Sequence, residues 1–148
     1  VKRKLHVPAT LVPKHWLQGA KMKVVLVDDD AAVRSSIKLL LEGRGYDVDD
    51  FAGGQAVLDA NLSNDDTCLI ADYLMPDIDG ISLLGKLQQQ GWSGTALLIT
   101  GHFDATLERR ARAAGYSAIF EKPLSSERLI NALRASLPSR SVNGLRNI

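Results

Sequence analysis

One cysteine in 148 residues, Cys68, leaves no intramolecular disulfide and no cysteine-based zinc site. It stands in the apolar run TCLIA and reads as a small core residue. No apolar stretch approaches the roughly 20 residues of a membrane span, so no membrane partner is expected. The basic amino terminus lacks an apolar segment and a cleavage site, which argues against secretion and makes the cytoplasm the expected location. Neither a GxGxxG fingerprint nor a Walker lysine follows Gly53-Gly54, which reads as a turn or helix start. Acid is missing from the first 21 residues, where five of the 18 lysines and arginines lie. The other 13 face all 17 aspartates and glutamates, so the body of the chain is near −4 and unlike a nucleic-acid-binding surface.

What is present is the composition of one globular domain, with 45% hydrophobic and 24% charged residues. The length suits one sizeable core and not two. Residues 1–21 hold two prolines and no sustained period, and are read as a disordered extension or linker. The domain is expected over 22–137, with 138–148 as a tail or the start of a linker. Inside it, KVVLV (23–27) is a β-branched run suited to a strand buried on both faces. Val33, Ile37, Leu40 and Leu41 then recur at helical spacing until the glycines of EGRG. Further strands are expected at 46–51, 67–71, 95–99 and 117–120, each followed by an amphipathic helix. Five such strand–helix units imply an α/β fold, a parallel sheet covered on both faces.

Ligands of open parallel sheets bind at the carboxyl ends of the strands. Those ends carry Asp28, Asp29 and Asp30, then Asp72, then Thr100, then Lys122. Crowded carboxylates keep their protons unless a cation sits among them. Oxygen ligands with room for water suit Mg²⁺, and the lack of histidine or thiol at these ends argues against zinc. Lys122 adds a mobile positive charge and Thr100 a short hydroxyl. Such a set suits phosphoryl transfer to Asp72, with the metal and Lys122 neutralising the phosphoryl oxygens and Thr100 donating to one of them.

VVLVDDD, LIADYLMPDIDG, LLITGH and IFEKPL, in this order, resemble the receiver domain of bacterial response regulators, especially its FixJ-like branch. The resemblance runs from Lys23 to about Leu137. It implies a doubly wound, flavodoxin-like three-layer fold with a five-stranded sheet in the order 2-1-3-4-5. It also implies a two-component system in which a sensor histidine kinase or phosphotransfer protein phosphorylates Asp72. By the same resemblance Asp29 is a direct Mg²⁺ ligand, Asp28 acts through water, and the backbone carbonyl of Leu74 completes the metal ligands. One position departs from the pattern. Aligning GYSAIFEKP with the family's GADDYLxKP puts Ile119 where Tyr or Phe is usual, and alternation sends Phe120 to the opposite face. The phosphoacceptor chemistry is complete while the usual readout is not.

Plainer roles compete for several residues. Asp30 reads as a helix cap, and Asp77 and Asp79 as parts of a turn and helix start. His102 reads as a solvated loop histidine, and Arg109, Arg110 and Arg112 as a solvated helix face. Two other functions were open. A Mg²⁺-dependent aspartyl phosphatase needs a second acid two residues after the nucleophile, where Leu74 stands; DDDA after strand one also lacks the expected threonine, and no cap domain is expected. A DNA-binding regulator needs more than the 11 residues after Leu137, so direct nucleic-acid binding is not expected of this chain.

Overall fold

The computed structural model describes residues 22–63 and 67–136; the extension expected over 1–21 and the tail over 138–148 lie outside them. Strands β1 (Lys23–Val27), β2 (Asp47–Phe51), β3 (Thr67–Asp72), β4 (Thr95–Thr100) and β5 (Ala118–Glu121) form one parallel sheet. They alternate with helices α1 (Ala31–Gly43), α2 (Gly54–Asp59), α3 (Gly80–Gln89), α4 (Ala105–Ala114) and α5 (Ser126–Ser136). The strand order is β2-β1-β3-β4-β5, as the resemblance implied.

Alternation along each strand splits the core in two. Val25, Val27, Leu69, Ala71, Ala96 and Leu98 face α2, α3 and α4. Val24, Leu26, Cys68, Ile70, Leu97 and Ile99 face α1 and α5. Burial pushes the Cys68 thiol up to about 12, so this cysteine is an inert part of the packing. Carboxylates start the helices that line the site edge. Asp30 accepts from the N–H groups of Ala32 and Val33, Asp79 from Ser82 and Asp104 from Leu107.

Register aligns the functional ends. Val27 lies opposite Ala71, Asp72 opposite Ile99, and Thr100 opposite Glu121. Strands β3 and β4 therefore run one residue beyond the apolar runs that predicted them. Asp72 and Thr100 are the last paired residues of their strands rather than the first of a loop, and the sheet fixes their backbones.

Candidate functional site

Asp28 follows β1 and is fully buried. Its N–H donates to the Phe51 carbonyl (3.1 Å), and its Oδ1 accepts from the Asp30 N–H (2.9 Å). The Lys122 Nζ, just past β5, lies 3.1 Å from Asp28 Oδ2 and 3.3 Å from Asp72 Oδ2. The ammonium thus bridges two carboxylates that are 44 residues apart in sequence. Asp29 is exposed and makes no hydrogen bond or ion pair with the described residues. One carboxylate oxygen from each of Asp28, Asp29 and Asp72 lies within 4.8 Å of the others.

Electrostatics separates the members of this cluster. Burial, then the charge of Asp28, pushes Asp72 up to about 6, although Lys122 pulls the other way. Burial works against the Lys122 ammonium, but its contact with Asp28 and the charges of Asp72 and Asp28 hold it above its ordinary value. Among the described residues, three carboxylates against one ammonium leave the cluster short of positive charge. Asp28 Oδ2 is buried and, among the described residues, accepts no well-directed hydrogen bond and meets only the Lys122 ammonium. An all-oxygen donor set with an orphaned buried oxygen fits a hard divalent cation such as Mg²⁺.

The loop after β3 is braced from behind. The Tyr73 N–H donates to the Ile99 carbonyl, and the Gly80 N–H to the Tyr73 carbonyl, both at 2.8 Å. A Cβ on Gly80 would stand 2.6 Å from the Asp72 carbonyl oxygen, so only glycine permits this approach. The Tyr116 hydroxyl donates to the Gly80 carbonyl (2.6 Å). Leu74 lies in the same loop and is 67% exposed. Asp77 does more than shape a turn: its carboxylate accepts from the N–H groups of Gly54 and Gln55 and ties this loop to the start of α2. A Cβ on Gly53 would meet that carboxylate at 2.8 Å.

Thr100 is only 1% exposed and its hydroxyl is committed elsewhere. It donates to the His102 carbonyl (3.0 Å) and accepts from the His102 N–H (3.1 Å). His102 itself is exposed. Ile119 packs on the α2–α3–α4 side of the sheet and Phe120 on the α1–α5 side. Arg110 of α4 donates to the Tyr73 hydroxyl (3.1 Å), a role the solvated-face reading did not foresee.

Two residues near the site escaped the sequence reading, Arg34 and Asp50. The signal was parity. Asp50 shares a strand face with the buried Val48, where an apolar residue is the rule. Its cations come from α1: Arg34 Nε lies 3.1 Å and Lys38 Nζ 2.9 Å from its oxygens.

The response regulator receiver domain, as a family, matches residues 24–134. The chain belongs to that family. This receiver is 37% identical over 123 residues to the transcriptional regulatory protein FixJ of Azorhizobium caulinodans, a match covering 83% of this chain and 58% of FixJ. It is 35% identical over 117 residues to FixJ of Bradyrhizobium diazoefficiens, covering 79% and 57%. In structure it is similar to the Vibrio cholerae chemotaxis protein CheY4, with a TM-score of 0.73, 26% identity, and coverage of 80% of this chain and 100% of that one. FixJ-N is similar too, with a TM-score of 0.71, 29% identity, and coverage of 78% and 93%. The receiver spans little more than half the length of the FixJ relatives. Receivers of two-component response regulators are switches whose general mechanism is phosphorylation on aspartate, with Mg²⁺ at an acidic pocket.

Proposed function

We propose that Asp72 is the phosphoacceptor, served by Lys122 and Thr100, with Mg²⁺ held by Asp28, Asp29, Asp72 and the Leu74 carbonyl. The observation that carries this reading is Lys122 Nζ placed between Asp28 Oδ2 and Asp72 Oδ2. As a carboxylate, Asp72 attacks the phosphorus of a phosphohistidine or a small acyl phosphate. The new O–P bond forms as the bond to the leaving group breaks, and the electron pair departs with the imidazole nitrogen or the carboxylate. Lys122 is placed to follow the charge onto the phosphoryl oxygens. Thr100 must release His102 before its hydroxyl can donate to one of them in a charge-assisted bond. The cation, when bound, neutralises phosphoryl charge without a proton transfer.

Upstream, the partner is a sensor histidine kinase or phosphotransfer protein; downstream it is a protein that reads the switch. That role belongs in the cytoplasm. Among the described residues no helix is long and apolar enough to cross a membrane. A cleft of about 360 Å³ between α1 and α5, lined by Val33, Leu40 and Leu124 and bounded by Lys122, offers a protein donor an apolar seat beside the site. DNA binding is not assigned to this chain. Incubation with Mg²⁺ and acetyl phosphate should add one phosphoryl group, seen by mass spectrometry, that Asp72→Asn does not accept. Lys122→Ala should lower the yield. Equal labelling of wild type and Asp72→Asn would remove Asp72 from the role. Turnover of many phosphoester molecules per chain would replace the switch with a phosphatase.

A further inference from the structure

Among the described residues, Asp28 is hydrogen-bonded at every polar atom but Oδ2, which meets the Lys122 ammonium. Strand β2 takes its N–H through Phe51, and the Asp30 N–H takes Oδ1. Its carbonyl accepts from Arg34 Nη1 at 2.6 Å, the shortest contact that Arg34 makes. That carbonyl belongs to the peptide joining Asp28 to Asp29. The plane of this peptide helps set where Asp29 starts and hence where its carboxylate points. Nothing else among the described residues holds the Asp29 side chain.

Arg34 is itself anchored. Its Nε donates to Asp50 Oδ2 at 3.1 Å, and Asp50 is shared with Lys38 at 2.9 Å. The Arg34 side chain is only 18% exposed. Two nitrogens of one planar guanidinium therefore span from β2 to the end of β1, and the rigid fork transmits the position of one to the other. A strand that contributes no ligand, β2, is in this way built into the geometry of the acid pair.

We propose that Arg34 is a positioning residue for the acid pair: anchored by Asp50, it fixes the Asp28–Asp29 peptide and so directs Asp29 toward the cation. This rests on the proposed metal site. Lysine at position 34 keeps the charge and can pair with Asp50. Its single nitrogen does not reproduce a fork that reaches Asp50 and the Asp28 carbonyl from separate atoms. Substituting groups that orient metal ligands typically weakens metal affinity by roughly 10- to 100-fold.

The test uses the full chain and Mg²⁺ alone, followed by calorimetric titration, with urea unfolding and amide NMR in the metal-free state. Arg34→Lys should leave the metal-free urea midpoint near that of wild type, move the Asp29 and Asp30 amide resonances, and weaken Mg²⁺ binding about tenfold or more. Asp50→Asn should shift affinity in the same direction by less. Arg34→Ala should lose both affinity and urea resistance; should it fail to fold, the other two variants decide. Mg²⁺ affinity within about twofold of wild type in Arg34→Lys and Asp50→Asn overturns the proposal, and reduces Arg34 to a tie between α1 and β2. Wild-type protein that takes up no Mg²⁺ overturns this inference and the metal site together.

Discussion

At the scale of single residues, Asp72 is pulled between two needs. In the proposed role it must be ionised to attack phosphorus, yet burial and then the charge of Asp28 push it up to about 6. An unfolded aspartate titrates near about 3.9. Between these values the folded state binds more protons than the unfolded one, so this group's contribution to stability grows as pH falls from about 6 toward about 4. Asp50, held low by its hydrogen bond with Lys38, and Asp77, held low by the Gln55 N–H, act in the opposite sense. Their stabilisation is lost only as pH drops below the ordinary carboxylate range. In urea without metal, going from about pH 7 to about pH 5 should therefore favour folded wild type more than folded Asp72→Asn. Equal responses of the two proteins would show that Asp72 is not raised. Mg²⁺ bound at the proposed site would compete for the same carboxylate, so its affinity should fall below about pH 6.

Elements meet at Gly80, the first residue of α3. Alanine is the better helix former by about 1 kcal/mol. Here its Cβ would lie 2.6 Å from the Asp72 carbonyl oxygen and 2.8 Å from Leu98 Cδ1, and one of those contacts is backbone. Gly80→Ala should destabilise the fold by about 1–3 kcal/mol and lower the yield of phosphorylation by displacing Asp72. Unchanged melting and labelling would show that the loop yields freely. This contact also marks where sequence reading stops. Short-range rules expose the apolar runs of β1 and β3, buried on both faces, the Asp30 cap and the order of strands and helices. The arrival of Asp28, Asp72 and Lys122 at one edge was legible because parallel strands all end on the same side. What stayed hidden depends on register between strands. The reach of Asp77 to α2, of Tyr116 to Gly80 and of Arg34 to the Asp28 carbonyl cannot be read from either partner's neighbours. Asp50 is intermediate, since its parity with Val48 called for a cation without saying which.

For the whole molecule the question is how a phosphoryl group on Asp72 is felt elsewhere. Thr100 can donate to it only by giving up the bond it donates to the His102 carbonyl, so the 100–104 loop loses one of its two ties to this hydroxyl. In most relatives, the resemblance implies, an aromatic of β5 then follows the threonine. Ile119 occupies that place on the α2–α3–α4 side, while Phe120 lies across the sheet. Isoleucine is shorter and stiff at χ1, so it follows only in part. A cavity of about 190 Å³ beside Thr100 is lined by a different aromatic, Tyr73, together with His102 and Arg110. Tyr73 directly follows Asp72, and its hydroxyl accepts from Arg110 on α4. Beryllofluoride, which mimics a bound phosphoryl group, should therefore shift amide resonances strongly at Asp72, Thr100 and the 100–104 loop. Smaller shifts should reach α4 around Arg110, and Tyr73→Phe, which removes the hydroxyl, should diminish those alone. Most of α4 and α5 should change little. Equally large shifts throughout both helices would show that Ile119 switches as an aromatic does, and the partial readout argued from its shape would be wrong.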